Sequence, residues 1–132
     1  MAVIPEAFHD LLDKKITFAH LATVQPDGTP QVTPVWFDFT DGKIRVNSAR
    51  GRVKVRNMGK NKNVALSIID PENPYRYLQI RGRIIEETEQ GGDAHIDSLA
   101  KKYLGADSYP FRKAGEVRIT YVIEPLSTST NG

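Results

Sequence analysis

The 132-residue sequence contains no cysteine, only one tryptophan and only two methionines. Without cysteine the chain cannot form disulfides, thiolate metal sites or a cysteine nucleophile. No apolar run approaches the roughly 20 residues of a bilayer-spanning helix, and no signal-peptide pattern follows the N-terminus. We therefore expect a cytoplasmic protein that does not enter a membrane. The three histidines are scattered without the spacing of metal ligands, so no metal site is expected.

Acidic residues are missing from the long stretch between Asp41 and Asp70. The same stretch holds eight basic residues: Lys43, Arg45, Arg50, Arg52, Lys54, Arg56, Lys60 and Lys62. Without these eight, 10 of the 18 Lys+Arg remain against 16 Asp+Glu, a net charge of −6. Positive charge concentrated in this way predicts a binding site for a phosphate or a polyanion. Lys60 and Lys62 are more simply interpreted as solvated surface charges.

Composition and alternation predict a mainly β fold. With 39% apolar and 26% charged residues, the chain is typical of one soluble globular domain, which we assign to residues 1–126. The Ser/Thr-rich end, residues 127–132, is expected to be a flexible tail. Runs of β-branched and aromatic residues between turn signals predict six strands, at residues 16–24, 31–39, 43–47, 64–69, 75–87 and 117–123. A closed antiparallel barrel is favoured because closure removes exposed sheet edges.

Small helices are predicted between these strands. An apolar stripe of Ile96, Leu99, Ala100 and Tyr103 predicts a helix that ends at Gly105. The segment 52–56 fits both a strand and a helix, because its residues alternate and its arginines lie four positions apart. We favour a short helix, whose N-terminal N–H groups would point at the same anion that the basic residues attract.

Four segments in order resemble one known family, and together they cover roughly residues 6–125. The segments are Ala22–Phe37, with its Asp-Gly-Thr-Pro turn, Asn47–Met58, Asn73–Arg83 and Asp93–Arg112. They look like the split-barrel flavin and deazaflavin oxidoreductases related to pyridoxamine 5′-phosphate oxidase. The last two segments are similar to the coenzyme F-420-dependent branch of that family.

This resemblance implies a homodimer of six-stranded antiparallel split barrels, the FMN-binding split barrel with Greek-key topology. Two cofactors would lie in clefts at the dimer interface, each completed by residues of the second subunit near Tyr75, Tyr77 and Gln79. The turn at Asn47 would meet the ribityl phosphate. The cofactor-binding residues implied are Gln31, Thr33, Pro34, Val35, Trp36, Asn47, Ser48, Arg52, Lys54, Arg56, Tyr75, Tyr77 and Gln79.

Coenzyme F-420 is the expected cofactor, with FMN as the alternative. A phosphodiester followed by glutamates is a long anion, which suits a cluster of cations better than a compact monophosphate does. Hydride transfer to a small organic acceptor requires stacking and exclusion of water but no acid, base or nucleophile, so no catalytic residue is predicted. The arginine-rich C-terminal segment of pyridoxamine 5′-phosphate oxidases has no counterpart after Pro125, which argues against oxidation of vitamin B6.

Three other functions stay open at this point. The chain could be an FMN-binding protein similar to pyridoxamine 5′-phosphate oxidase, or a non-catalytic cofactor or haem binder on the same fold. The basic stretch with nearby aromatics also fits a module for single-stranded nucleic acid. The acidic remainder argues against nucleic acid as a partner, because it would repel a long polyanion beyond the basic stretch.

Overall fold

The computed structural model describes residues 4–132 and consists of one antiparallel sheet with small helices around it. The strands are β1 (Ala19–Val24), β2 (Pro30–Val35), β3 (Phe37–Thr40), β4 (Lys43–Ala49), β5 (Asn63–Asp70), β6 (Asn73–Thr88) and β7 (Arg118–Asn131). The helices are α1 (Asp10–Asp13), which follows a 3-10 turn at Glu6–Phe8, then α2 (Val53–Lys60) and α3 (Gly92–Leu104). No helix within residues 4–132 has the length and apolarity to span a membrane.

The order of the strands shows why the sheet curls. Their order is β2-β1-β5-β6-β7-β4-β3, and every pair is antiparallel. Strands β2 and β3 lie at the two opposite edges, yet only Trp36 separates them in the chain. One residue cannot span a flat seven-stranded sheet, because neighbouring strands are about 4.8 Å apart. The two edges must therefore approach each other, which gives the split barrel.

Alternation along the strands fills the inside of this barrel with apolar side chains. Strand β5 alternates buried and more exposed residues, as the pleat requires. Fully buried side chains from four neighbouring strands form the centre of the core: Leu21, Leu66, Ile68, Leu78, Ile80, Tyr121 and Ile123. The mainly β fold with small helices predicted from the sequence is confirmed, and so is the helix after the Gly51 turn.

The strand count is seven rather than six, because the predicted strand 31–39 breaks at Trp36. Side chains of α3 replace the strand ladder at this corner. The Phe37 N–H donates to the Tyr103 hydroxyl at 3.1 Å, and the Lys102 ammonium donates to the Phe37 carbonyl at 2.7 Å. Trp36 itself stacks on Tyr103, with ring centroids 5.1 Å apart. The Phe37 backbone therefore keeps hydrogen-bond partners where the chain leaves one sheet edge and joins the other.

The C-terminal residues also differ from the prediction. Residues 127–131, expected to form a flexible tail, instead belong to β7 and pair with β6, with Ser127 opposite Arg81 and Asn131 opposite Tyr77. Strand β6 has 16 residues and so offers hydrogen-bonding groups beyond the predicted end of β7. The interruption predicted at Gly82 is confirmed, since the β6–β7 register shifts between Arg81 and Gly82.

Candidate cofactor site

A cavity of about 220 Å³ lies where the β2–β3 corner, β4, the start of α2, α3 and the loop before β7 meet. Its lining combines an apolar and aromatic part with a basic part and contains no carboxylate among the described residues. The lining residues are Phe18, Pro34, Val35, Trp36, Asn47, Arg52, Lys54, Ile96, Tyr109, Phe111 and Arg118. A mixed wall of this kind suits a ligand with a flat ring and an anionic group.

Lys54 is the cation whose environment is most unusual. Its side chain is 9% exposed, and its ammonium donates to the neutral Thr33 hydroxyl at 2.9 Å. Burial lowers the pKa of Lys54, and the nearby positive charge of Arg52 lowers it further. A buried ammonium normally has a carboxylate partner. Within residues 4–132 Lys54 has none, so an anionic ligand in the cavity would supply the missing charge.

The N-terminus of α2 adds backbone donors beside Lys54. The chain turns into the helix through Gly51, whose φ of +97° favours glycine. Arg52 is the N-cap residue, its side chain makes no capping hydrogen bond, and the first turn holds no acidic residue. The first N–H groups of a helix carry partial positive charge and bind anions readily. The helix end and the Lys54 ammonium therefore favour the same kind of ligand.

The remaining basic residues of the 43–62 stretch do not form one uniform surface. Three of them are ion-paired: Arg45 with Asp38, Arg50 with Glu89 and Lys62 with Glu87. In the part of the chain that the structure describes, no carboxylate lies within 4.0 Å of the cationic groups of the N-cap residue Arg52 or of Lys54, Arg56 and Lys60 in α2. Uncompensated charge is thus concentrated on α2, next to the cavity.

Aromatic rings form the other wall. Trp36 contacts Tyr109 edge to face, with centroids 6.1 Å apart, and Tyr109 contacts Phe111 in the same way at 5.7 Å. Tyr103 supports Trp36 from behind, and burial raises the pKa of Tyr103 to about 12, so its hydroxyl keeps its proton at physiological pH. That hydroxyl donates to the Thr17 carbonyl at 2.6 Å, which fixes the position of the Tyr103 ring against Trp36.

Behind the cavity, Asn47 belongs to a buried polar network. Its side-chain nitrogen donates to the Gly92 carbonyl at 2.9 Å and to His95 Nδ1 at 3.3 Å. His95 Nε2 lies 2.8 Å from Asp38, a geometry that the tautomer with its proton on Nε2 satisfies. Burial alone would raise the pKa of Asp38, but the hydrogen bonds from His95 and Arg45 outweigh it and lower that pKa to about 2. This ionised network holds Asn47 at the cavity wall.

Six of the thirteen residues predicted to bind cofactor line this cavity: Pro34, Val35, Trp36, Asn47, Arg52 and Lys54. Thr33 lies next to it and accepts the Lys54 hydrogen bond. The Gln31 side-chain oxygen instead accepts from Thr23 at 3.2 Å, and Arg56 is exposed on α2. Ser48 is buried, and its hydroxyl has no hydrogen-bond partner among residues 4–132.

Three predicted residues lie outside the cavity of their own chain. Tyr75, Tyr77 and Gln79 are exposed on β6, with Tyr75 79% exposed. Their outward orientation follows from the pleat, because the alternate residues Leu78 and Ile80 enter the core. Their role in binding a cofactor stays a prediction, since they could reach a cavity only in a second copy of the chain.

Sequence reasoning missed five lining residues: Phe18, Ile96, Tyr109, Phe111 and Arg118. Arg118 is the most informative of them, because it is a buried charged residue at the start of β7. Its position carried no clear signal, since a charged residue at a strand end is usually exposed. Its contact with Asn47 joins residues 71 positions apart, and no local pattern contains that information.

The sequence profile of the pyridoxamine 5′-phosphate oxidase family matches residues 4–125, which is nearly the whole chain. The chain belongs to this family. No protein of curated function matches the sequence significantly. The family match confirms the resemblance inferred from the sequence motifs.

Several solved structures superpose on the chain along most of its length. A protein described as an F-420 reductase is 36% identical, with a TM-score of 0.83, and the match covers 96% of this chain and 98% of that one. A conserved hypothetical protein from Mycobacterium tuberculosis is 22% identical, with a TM-score of 0.72 over 98% of this chain and 85% of that one. A Listeria innocua protein assigned to the pyridoxamine 5′-phosphate oxidases is 19% identical, with a TM-score of 0.70 over 95% of both chains. The last two show the shared fold alone.

Family membership and the 36% identical neighbour support an oxidoreductase of the flavin or deazaflavin kind. The residues present fit such a cofactor: the aromatic and apolar wall suits a flat ring, and the buried Lys54 lacks an anionic partner in the described chain.

Proposed function

We propose that this protein is a coenzyme F-420-dependent oxidoreductase, which transfers a hydride between the deazaflavin and a small organic acceptor. The observation that carries the proposal is the buried Lys54 ammonium at the uncapped N-terminus of α2, in a cavity without a carboxylate in its described lining. When bound, the deazaflavin supplies the two-electron hydride chemistry. The protein binds it, orients its ring and excludes water.

The cations of α2 continue beyond the cavity in a row. Arg52, Arg56 and Lys60 are exposed and lie four residues apart, which places successive Cα atoms about 6 Å apart along one helix face. A phosphodiester bound by Lys54 and the helix end could extend its glutamate carboxylates along this row. FMN ends in a single phosphate and would leave the row unused. The 36% identical F-420 reductase supports the same choice.

The aromatic wall is suited to the ring of the cofactor. Pro34, Val35 and Trp36 follow directly on Thr33, which accepts the Lys54 hydrogen bond. An anion held at Lys54 therefore leaves its attached ring near the Trp36 corner. An apolar wall there excludes water from the ring, which hydride transfer requires. We assign no residue as acid, base or nucleophile.

A second copy of the chain is proposed to complete the cavity. The outer face of β5 and β6, with the residue before β1, exposes the large apolar side chains Phe18, Ile69, Tyr75 and Tyr77, and Val32 is exposed on β2. Val32 is 63% exposed, and several large apolar side chains exposed on one face are typical of a protein–protein contact. Phe18 belongs both to this face and to the cavity lining, so the cavity opens towards the partner. Tyr75, Tyr77 and Gln79 of one copy would then border the cavity of the other.

Titration of the purified protein with coenzyme F-420 and with FMN tests the cofactor. We expect micromolar or tighter binding of F-420, read from the quenching of deazaflavin fluorescence, and FMN binding at least tenfold weaker. The reason is the row of cations along α2, which only the longer anion can occupy. Binding of FMN as tight as that of F-420 would assign the protein to the FMN-dependent alternative.

Sedimentation equilibrium of wild type and of Tyr77→Glu tests the second copy. Wild type is expected to be a dimer at micromolar concentration, and Tyr77→Glu a folded monomer, because the new carboxylate would be buried against an apolar partner face. Arg83→Glu, exposed further along the same strand, is a control outside the apolar set. A wild-type monomer that binds F-420 with full affinity would exclude the shared cavity.

A further inference from the structure

Arg118 is a buried cation for which the proposed function gives no role. It is the first residue of β7, and its side chain is 3% exposed. Its Nε donates to Glu116 at 2.8 Å, and its Nη1 makes a long contact of 3.4 Å with the Asn47 side-chain oxygen. Its Nη2 is buried and has no hydrogen-bond partner among residues 4–132. A guanidinium with an unused buried donor is rare, because natural proteins pair such groups.

Arg118 also lies where a molecule bound in the cavity would contact it. Arg118 lines the same cavity as Lys54, but on β7, beside Asn47, rather than on α2. Its guanidinium lies over the ring of Tyr109, 4.6 Å from the ring centroid, and Tyr109 also lines the cavity. A molecule that enters the aromatic part of the cavity therefore meets Tyr109 and Arg118 together.

The chemistry of the guanidinium defines what it can hold. Glu116 occupies Nε and supplies one negative charge, so Arg118 does not require a second full charge as its partner. A planar fork with an unused donor binds a carboxylate or a polarised carbonyl oxygen. Apolar groups such as Ile96 and Phe111 line the cavity with it and would hold the body of such a molecule.

We propose that Arg118 is an oxygen-binding residue of this cavity, whose guanidinium donates to a carbonyl or carboxylate oxygen on an aromatic or conjugated molecule. The site stands on its own geometry. Only the choice between two sources of that oxygen, the ring of the cofactor or the hydride acceptor, rests on the proposed function.

The variants Arg118→Met and Glu116→Gln separate binding from structure. Arg118→Met removes the donors, whereas Glu116→Gln breaks the ion pair and keeps an oxygen acceptor for Nε. We expect Arg118→Met to raise either the Kd for F-420 or the KM for the acceptor at least tenfold, and Glu116→Gln to change each less than threefold. A raised Kd assigns the oxygen to the cofactor, and a raised KM with an unchanged Kd assigns it to the acceptor. Equal losses in both variants, accompanied by equal falls in Tm, would show a purely structural role and overturn the proposal.

A test without cofactor keeps the two proposals distinguishable. Isothermal titration with 2-naphthoate and with the neutral 2-naphthamide probes the cavity of the purified protein directly. We expect wild type and Glu116→Gln to bind both probes, and Arg118→Met to bind each at least tenfold more weakly, because both carry a carbonyl-type oxygen. This result in a protein that does not bind F-420 would support the Arg118 site while rejecting the proposed function. Unchanged binding of both probes by Arg118→Met, or no binding by wild type, would overturn the site.

Discussion

Replacing Lys54 with methionine is expected to make the free protein more stable and, at the same time, to remove most of its affinity for an anionic cofactor. Methionine has nearly the length of lysine and suits a side chain that is 9% exposed. It removes a buried charge whose partner in the described chain is only the Thr33 hydroxyl, so we expect a gain of about 1 kcal/mol in the free energy of unfolding. Loss of a charge-assisted hydrogen bond, about 2 kcal/mol, corresponds to a Kd for F-420 raised about 30-fold.

Urea unfolding and fluorescence titration of the same samples measure both effects. Lys60→Met is the matched control, because Lys60 lies on the same helix but is exposed; we expect its stability to change little and its Kd to rise less than fivefold. The pH dependence identifies the cause. Because the pKa of Lys54 is lowered by folding, the wild type gains stability as pH rises from that lowered value towards 10.5, and the advantage of Lys54→Met narrows there. A variant less stable than wild type near pH 7 would show that the buried ammonium does not destabilise the folded protein.

The parts of the fold that depend on neighbouring residues could be predicted from the sequence. Alternation located most of the strands, and the Gly51 turn favoured a helix for the ambiguous segment 52–56, which the structure contains as Val53–Lys60. Lys54 and Arg52 were found because a run of cations without acids is visible in the sequence itself. The family resemblance added Asn47 and Trp36 to Lys54 and Arg52, and all four residues line the cavity.

Features that depend on distant contacts could not be predicted in this way. The break at Trp36 is produced by Lys102 and Tyr103, whose hydrogen bonds reach Phe37 from 65 and 66 residues away. The enclosure of Arg118 depends likewise on Asn47 and Tyr109, which belong to a different strand and to a loop. A charged residue at a strand end is usually exposed, so only the assembled sheet shows that this one is buried.

The tight approach of α3 to β7 leads to the second large effect, which is expected for Gly92→Ala. A Cβ atom at Gly92 would lie 2.7 Å from the carbonyl carbon of Arg118 and still closer to the carbonyl oxygen, and these backbone atoms cannot rotate away. Either α3 or β7 must shift, and overpacking of this kind destabilises by about 2 kcal/mol or more. The shift would also reach the cavity, because the Gly92 carbonyl accepts the hydrogen bond that orients Asn47.

We therefore expect Gly92→Ala to lower the urea midpoint with an unchanged m-value and to weaken cofactor binding as well. Gly59→Ala is the matched control, because Gly59 also lies in a helix but has no neighbouring atom within 4 Å of the place that the added methyl group would take. That substitution should stabilise the protein by up to about 1 kcal/mol, since alanine favours the helix. Two glycines in helices thus respond with opposite signs to the same added methyl group, and the difference isolates the α3–β7 contact. Equal midpoints for Gly92→Ala and wild type would mean that α3 can move away from β7 freely, and that Asn47 and Arg118 are held by the sheet alone.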